Sequence, residues 1–503
     1  MRDITDAIRT DFESLPDGYW SFKDADTKEL THGIHSYPAM MVSPISRAII
    51  AMAESHGDPQ SVLDPFCGSG TVLVEAMSAG IPRIAGNDMN PLALLIARVK
   101  TTPIDPVALS QAADGLLASY AAALASCSTA IDGAAVYLRA HGHDASSREW
   151  GKVGATELAA YADAVGFPYP VPSFKNIGYW FRPEVVMELA ALRSLIDGIG
   201  DPQIRDFMLV AMSDAIRFVS NRKNGEFKLV RMPASKLEGF RPDTYGIFSR
   251  ILSRNVSAMR SFFNRMIEVC GTGHAGSHPA CAGASPSGSA CADGGASRDD
   301  AVLGTCAAFP RADVCEGDAR TLDAVPDGAY DLVITSPPYG DSRTTVAYGQ
   351  YSRLSLQWIG LDDGEAMGID GKLMGGGKPS GEVPGSKLLA GALEAIHARD
   401  PKRADEVLSF YADLDSALAA ASSRTAANGM QFWVVGNRTV KGIVMPTDAI
   451  IAELAGSHGM EHITTATREI PNKVMPSRNS PSNVSGETGA TMTGEHIVVL
   501  ARR

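Results

Sequence analysis

The chain has few cysteines, and their spacing suits neither a zinc site nor a disulfide framework. Seven of its 503 residues are cysteine, and none stands in a paired spacing that is typical of zinc ligands. An odd number of cysteines, together with an N-terminus that lacks signal-peptide character, predicts reduced thiols and a cytoplasmic protein. We therefore expect no metal centre.

The sequence also lacks long apolar runs and an excess of positive charge. Hydrophobic residues make up 45% of the chain and charged residues 20%, as in soluble globular proteins, and no membrane span is expected. A net charge of −12 excludes a general nucleic-acid coat. It leaves room for a site-specific enzyme, because only the contact face of such an enzyme must be positive.

One segment has the composition of such a face. Residues 217–265 contain eleven lysines and arginines and only three acids. A solvated helix surface would have the same composition, but in an acidic chain this cluster favours contact with phosphate. The predicted nucleic-acid contacts here and further along the chain are Arg222, Lys223, Lys228, Arg231, Arg343 and Arg478.

Two motifs carry the chemistry. Residues 62–71 predict a strand, a glycine turn and then a helix, and glycines allow a nucleotide-like ligand to approach the backbone closely. Residues 331–340 predict an apolar strand that ends in Ser-Pro-Pro-Tyr. The prolines stiffen the backbone and remove donors, which leaves carbonyls free to accept from a ligand, and Tyr339 offers a flat face. This arrangement suits the exocyclic amino group of a planar base.

Together the two motifs resemble those of the amino-group DNA methyltransferases, which use S-adenosylmethionine and methylate cytosine N4 or adenine N6. Ser-Pro-Pro-Tyr is the form most often seen in the cytosine-N4 branch. The resemblance implies an α/β, Rossmann-like class I methyltransferase fold. In this chain a long interval, residues 101–310, precedes the expected third strand and predicts a mostly helical insert between strands two and three. Because the insert comes before Asp318, it departs from the family's order. It also implies base flipping in double-stranded DNA, a cognate restriction endonuclease as a candidate partner, and a cytoplasmic, nucleoid-associated location.

The resemblance further implies the cofactor-binding residues. A His-Tyr-Pro type of segment before the glycine turn closes over the methionine part of the cofactor in this family. Asp88, at the end of strand two, would grip the ribose, with a helix N-cap as the alternative. Asp318 would accept from the adenine amino group or be an exposed turn acid, and Asp64 would face the cofactor's amino terminus or structure the turn. The full set is Tyr37, Pro38, Asp64, Phe66, Gly68, Gly70, Thr71, Asp88, Met89, Asp318 and Ala319.

The predicted catalytic residues are Ser336, Pro337, Pro338 and Tyr339. The Ser336 hydroxyl and the Pro337 carbonyl would each accept one hydrogen of the target amine, with Pro338 fixing the direction of that carbonyl. Tyr339 would stack on a flipped base. Cys67 lies inside the cofactor motif and is interpreted as a packing residue, not a nucleophile.

The chain is expected to divide into four parts. Residues 1–100 would hold an N-terminal segment and the first half of the methyltransferase domain, and residues 311–503 the second half. Between them, residues 101–270 would form a helical, partly basic region for target recognition, and residues 271–310 a flexible linker of low complexity. The strands are predicted at 62–66, 83–87, 312–316, 331–335, 430–435, 462–468 and 496–501.

Three other functions remain open at this point. Adenine-N6 methylation of DNA could use the same tetrapeptide. An RNA guanine-N2 methyltransferase has a similar cofactor motif, but it would normally carry a substantial N-terminal RNA-binding domain, and only about 30 residues precede His32. A non-catalytic nucleic-acid-binding subunit would be expected to have lost one of the two motifs, and both are intact.

Overall fold

A seven-stranded sheet forms the centre of the protein. The computed structural model describes residues 4–141, 150–271, 309–341, 346–377, 382–470, 478–479, 489–490 and 494–502. The central sheet has the order β3-β2-β1-β4-β5-β11-β8. The strands are β1 Ser61–Asp64, β2 Arg83–Asp88, β3 Ala312–Glu316, β4 Tyr330–Thr335, β5 Thr425–Val435, β6 Arg438–Val440, β7 Ile443–Met445, β8 Met460–Glu469, β9 Arg478–Asn479, β10 Gly489–Ala490 and β11 Gly494–Arg502.

The sheet is mostly parallel. Strands β3, β2, β1, β4 and β5 pair in parallel, and β11 is antiparallel to both of its neighbours. Because β1 lies between β2 and β4, the chain order reverses there, which is where open α/β sheets bind ligands. The predicted α/β class is confirmed, and this sheet fits a Rossmann-like methyltransferase.

Helices cover both faces of the sheet. They are α1 Ile4–Ser14, α2 Ser43–His56, α3 Thr71–Ala79, α4 Pro91–Lys100, α5 Pro106–Ser126, α6 Ser128–Ala140, α7 Trp150–Ala164, α8 Ile177–Trp180, α9 Pro183–Asp197, α10 Pro202–Val219, α11 Ala234–Leu237, α12 Thr244–Gly271, α13 Tyr348–Ile359, α14 Asp363–Lys372, α15 Lys387–His397, α16 Pro401–Ser423 and α17 Thr447–Ser457. A single 3-10 turn, Tyr19–Ser21, follows α1.

Neighbouring residues of a strand supply two separate cores. Val62 of β1 joins the core that includes helices α9, α10 and α12, whereas Leu63 joins the core formed with α15, α16 and α17. Leu332 and Val333 of β4 divide in the same way, because successive side chains point to opposite faces of a sheet. All four side chains are nearly or fully buried. This packing on both faces fixes the positions of β1 and β4, and therefore of the turns that follow them.

Helix α5 departs from the expectation that no segment is long and apolar enough to cross a membrane. By length and composition alone this helix would suffice. It nevertheless packs against α9 and α12, with Tyr120 buried and its ring 5.6 Å from that of Tyr245. Alanine accounts for much of its apolar composition, and alanine favours helices in any environment.

The predicted strand positions agree with the structure to within a few residues. The strand at 312–316 has the predicted bounds, and β5 begins at Thr425, five residues before the prediction. Between β2 and β3 the described residues form α4 to α12. Most of the linker predicted at 271–310 lies outside the described residues.

Candidate active site

The glycine turn after β1 is held open by backbone conformation. Gly68 and Gly70 both have a positive φ, +50° and +80°, which favours glycine. A Cβ on Gly70 would lie 3.0 Å from the Cβ of Ala97 in α4, so this glycine lets the turn and the helix approach. A Cβ on Gly68 would meet only Tyr37 Cε1, at 3.9 Å. That position faces open space in the cleft.

Asp88 at the end of β2 holds this turn in place. Its Oδ2 accepts from the backbone N–H of Gly68 at 2.9 Å, and its Oδ1 accepts from Asn90 N at 2.8 Å. The N-cap of α4 is Asn90, whose side chain accepts from Leu92 N. The sequence-based alternative of an N-cap role thus falls to Asn90. Burial raises the pKa of Asp88 to about 6.

Asp64 links the ends of β1 and β4. Its Oδ1 accepts from the Thr335 hydroxyl at 2.7 Å and from the backbone N–H of Phe66 at 3.1 Å. Burial raises the pKa of this carboxyl to about 7. Asp64 therefore structures the glycine turn, as one of the two predicted roles requires, and it also lines the cleft.

Asp318, after β3, is gripped by an arginine that the sequence reading did not single out. The Nε and Nη2 of Arg320 donate to the Asp318 carboxylate at 2.6–2.9 Å, and Nη1 donates to Asp413 at 3.0 Å. Partial burial of Asp318 opposes ionisation, but the hydrogen bonds from Arg320 outweigh it and lower the pKa of the carboxyl. Asp318 is thus an ionised acceptor at the cleft.

The segment before α2 is fixed by contacts from distant parts of the chain. Ser36 donates to Asp214 of α10 at 2.5 Å, and Tyr351 of α13 donates to the Ser36 carbonyl. The Tyr37 hydroxyl accepts from Asn90 Nδ2 at 3.0 Å. Helices α10 and α13 therefore position the wall of the cleft that Tyr37 forms.

The Ser-Pro-Pro-Tyr motif, which is predicted to be catalytic, lies at the end of β4. Ser336 and Pro338 line the cleft, while Pro337 is buried beneath it. Tyr339 is half-buried, and its hydroxyl lies 3.3 Å from Ser336 Oγ and 2.9 Å from Glu495 Oε1. Burial raises the pKa of this phenol well above its ordinary value, so Tyr339 is a neutral donor.

One cleft brings the two motifs together. It encloses about 860 Å³, including space open to solvent, and is lined by every predicted cofactor residue except Gly70. Residues that the sequence reading did not single out also line it: Ala39, Met40, Met41, Pro65, Ser69, Asn87, Asn90, Gly317, Tyr348, Lys372, Leu373 and Met374. Of these, Asn90 carried a local signal, since an asparagine before proline at a helix start is a typical N-cap.

The predicted nucleic-acid contacts differ in their exposure. Lys223 and Lys228 are exposed. Arg222 is buried and donates to the carbonyls of Arg217 and Glu226, and the half-buried Arg231 donates to the Tyr179 carbonyl at 2.9 Å. Arg343 lies outside the described residues, and of Arg478 only the backbone, in β9, is described. DNA-binding roles for these six residues stay predictions.

Cys67 lies in the cleft wall as a buried thiol. Burial raises its pKa well above the ordinary value, and a protonated thiol is a poor nucleophile. This state suits the packing role that the sequence indicated. Among the described residues, no group of three or more His, Cys, Asp or Glu side chains is placed to hold a metal ion.

A mostly parallel sheet, a glycine turn at its switch point and acids at three neighbouring strand ends are the features of a Rossmann-like methyltransferase domain. In agreement, a family model described as UPF0020, RMKL-like, methyltransferase domain matches residues 34–113. These residues span the segment before α2, the glycine turn and the end of β2.

Two similar proteins narrow this class. The type II methyltransferase M.MvaI of Kocuria varians is 32% identical over 493 residues, which is 96% of this chain and 93% of the relative. M.MjaII of Methanocaldococcus jannaschii, another type II methyltransferase, is 39% identical over 74 residues, 15% of this chain and 13% of that protein. No solved structure matches the chain significantly. The chain belongs to the type II DNA methyltransferase family.

Proposed function

We propose that the protein transfers a methyl group from S-adenosylmethionine to the exocyclic N4 amine of cytosine, in a base flipped out of a specific site in duplex DNA. One observation carries this proposal: Ser336 and Pro338 line the same cleft as Asp64, Gly68 and Asp88. A ligand held on the glycine turn would therefore face an amine bound at the end of β4.

The residues of the cleft fit S-adenosylmethionine by their chemistry. A cationic amino group beside Asp64 would favour the ionised carboxylate, which burial alone disfavours. The carboxylate of Asp88 has about four acceptor sites, so the backbone N–H groups of Gly68, Met89 and Asn90 leave one for a ribose hydroxyl. The open space at Gly68 leaves room for the ligand. When bound, the cofactor supplies an electrophilic methyl group on a sulfonium.

The catalytic turn would orient and activate the amine. The turn would hold the amine facing a ligand on the glycine turn, because displacement at carbon depends on such orientation. Ser336 Oγ and the Pro337 carbonyl would each accept one N–H, and these bonds would strengthen as the nitrogen becomes positive during transfer. The sulfonium would leave as the neutral thioether, and the methylated nitrogen would release one proton to solvent. The choice of cytosine rests on the serine at position 336, which the resemblance associates with the cytosine-N4 branch.

A short hairpin beside the cleft is the proposed DNA contact. An isolated β-bridge joins its two arms at Arg222 and Arg231, and Lys223 N donates to the Val230 carbonyl at 2.7 Å. The loop between the arms exposes Lys223, Phe227 and Lys228. Leu229 N donates to Gln350 in the first turn of α13, and Tyr348 of the same turn lines the cleft. Lysines at this place would bind phosphates near the flipped base.

The extent of the two matches favours DNA over RNA as the substrate. The RMKL-like model covers only residues 34–113, which is the cofactor side of the site. The alignment with a type II methyltransferase extends over 96% of the chain and so includes the helices between β2 and β3. We propose these helices as the target-recognition region, a cognate endonuclease as partner, and a cytoplasmic location.

The test identifies the methylated nucleoside. The protein is incubated with methyl-tritiated S-adenosylmethionine and either mixed-sequence duplex DNA or total RNA, and the product is digested to nucleosides. The expected product is N4-methyldeoxycytidine. N6-methyldeoxyadenosine as the sole product would overturn the proposed base, and methylated guanosine in RNA would overturn the proposed substrate. The variant Ser336→Ala should incorporate label at a rate reduced about 100- to 1,000-fold and keep cofactor binding, which ties the label to this site.

A further inference from the structure

A line of hydrogen bonds leads from Ser336 to the last strand of the sheet. Ser336 Oγ lies 3.3 Å from the Tyr339 hydroxyl, and that hydroxyl lies 2.9 Å from Glu495 Oε1. The other oxygen of Glu495 accepts from Arg468 Nη1. Glu495 and Arg468 face each other in the register of β11 and β8, although 27 positions separate them in the sequence.

Counting donors gives this line a direction. An ionised carboxylate only accepts, and a phenol has one hydrogen to donate. Tyr339 therefore donates to Glu495, and its oxygen is left to accept the hydrogen of Ser336. The Ser336 hydrogen then points away from the cleft, and the lone pairs of Oγ stay available for the N–H of an amine.

The far end of the line is rigid. Arg468 is 3% exposed and its Nε donates to the carbonyl of Trp20 at 3.0 Å. The ring of Trp20 stacks on Phe12 with the ring centroids 4.9 Å apart. The Glu495 side chain is 14% exposed. A carboxylate held from two sides in this way can hold a phenol in one orientation.

We propose that Glu495 is a positioning residue, which acts through Tyr339 to keep the Ser336 hydroxyl oriented as an acceptor for the target amine. The inference rests on the proposed function, since it deepens the role of the catalytic turn, but it applies to an amine of cytosine or of adenine alike. Of the two proposed acceptors of the amine, the Ser336 hydroxyl and the Pro337 carbonyl, only the hydroxyl can exchange its donor and acceptor directions by rotation. A hydrogen-bonding partner that fixes this rotation would therefore favour the acceptor orientation of Ser336.

Two isosteric changes test the inference. Tyr339→Phe keeps the ring for stacking but removes the acceptor of the Ser336 hydrogen. Glu495→Gln offers one acceptor oxygen to two donors, Tyr339 and Arg468, so that the orientation of Tyr339 is no longer fixed. Each change should lower kcat about tenfold, the effect of one hydrogen bond made to a charged or reacting group. KM for DNA and Kd for the cofactor should stay within about twofold of the wild-type values.

The double variant separates a relay from two independent effects. If Glu495 acts only through Tyr339, then Tyr339→Phe with Glu495→Gln should lose about tenfold in kcat, as each single variant does, rather than about a hundredfold. Glu469→Gln is the matched control. Glu469 is exposed, follows Arg468 in β8 and pairs in register with Gly494 of β11. This control should keep wild-type kcat. Losses that multiply in the double variant would overturn the inference.

A second background keeps the test decisive if Glu495→Gln unfolds the protein. In Ser336→Ala there is no hydroxyl to orient, so Tyr339→Phe should cause no further loss of the residual rate. The same tenfold loss in this background would overturn the inference. Because tritium is counted in total DNA, adenine as the methylated base would overturn the proposed base and leave the test of the relay intact. A wild-type protein that labels no DNA would overturn both.

Discussion

The two sides of the cleft are built in different ways. On the side proposed for the cofactor, called the cofactor side below, short turns after neighbouring parallel strands bring Asp64, Gly68 and Asp88 together. On the side proposed for DNA, the basic segment at 217–265 runs from the end of α10 through α12 and contributes its charges to several different environments. The sequence of a turn within a motif thus determines the geometry of that turn. A cluster of charged residues in the sequence does not determine which side chains are exposed and which are buried against the protein.

Several arginines of the basic segment bind the protein itself. Arg217 is 5% exposed, with its guanidinium carbon 3.2 Å from the centroid of the Tyr351 ring. Arg254 donates to the Ile34 carbonyl and to Asp214. These contacts join α10, α12 and α13 to the segment that carries Tyr37. Part of the basic segment therefore supports the cofactor side of the cleft.

The largest effect should come from the point where the two sides meet. Ser336→Ala removes a proposed acceptor of the target amine, and we expect methyl transfer to fall about 100- to 1,000-fold, as for the loss of a catalytic hydrogen-bonding group. The cofactor Kd should not change, because the turn after β1 is untouched. Single-turnover transfer and equilibrium binding measure the two quantities. An equal loss of cofactor binding in a folded variant would show that the two sides are not separable.

The control for that experiment is an exposed serine of α16, a helix that packs on the face of the sheet opposite to α10 and α12. Ser416 of α16 donates only to the Ala412 carbonyl among its described contacts, so Ser416→Ala should keep the wild-type rate and affinity. A reduced rate in this control would mean that the assay reports stability rather than chemistry.

The next largest effect should divide the basic segment into two functional groups. Arg217→Ala removes a buried guanidinium that stacks on Tyr351 and donates to its carbonyl at 3.1 Å. We expect the free energy of unfolding to fall by about 3 kcal/mol, measured by urea denaturation. Arg260→Ala, at an exposed position of α12, should change it by less than about 0.5 kcal/mol. Equal effects would contradict the division into buried and exposed charges.

A pH dependence should distinguish the acids of the cofactor side. The pKa values of Asp64 and Asp88, about 7 and about 6, mean that both are partly protonated in mildly acidic solution. Because the proposed ligand's cation favours ionised Asp64, its Kd should fall as pH rises from about 5.5 to 7, by up to tenfold per unit. Calorimetric titration measures this, and Asp64→Asn should flatten the dependence.

Asp318 supplies the matched control for that titration. Its pKa is lowered, so it stays ionised throughout this range, and Asp318→Asn should weaken binding equally at each pH. Without ligand, the raised pKa of Asp64 makes the folded protein bind more protons than the unfolded chain. The contribution of Asp64 to the free energy of unfolding, measured as the difference between the wild-type protein and Asp64→Asn, should therefore fall as pH rises from about 4 to 7. A flat Kd in the wild-type protein would contradict the role of Asp64.

The cofactor side could largely be predicted from the sequence because its residues are close together along the chain. Asp64 and Gly68 belong to one turn, and parallel pairing of β1 and β2 places Asp88 beside it. The partners of these residues could not be predicted. Asp413 holds Arg320 across 93 positions, Asp214 holds Ser36 across 178 positions, and Glu495 reaches Tyr339 from the last strand. Only the packed sheet and helices bring such groups into contact.

The smallest effect concerns the exposed part of the basic segment. Lys228→Ala removes a charge at the tip of the hairpin beside α13, and we expect DNA affinity to fall by only about 0.5–1 kcal/mol, without loss of stability. The slope of log affinity against log salt should decrease by about 0.9, because one fewer counterion is released. Lys402→Ala, at an exposed position of α16 on the opposite face of the sheet, should leave the slope unchanged. An unchanged slope for Lys228→Ala would show that the hairpin does not contact DNA. The proposed role of the cleft, which rests on the two motifs, would be unaffected.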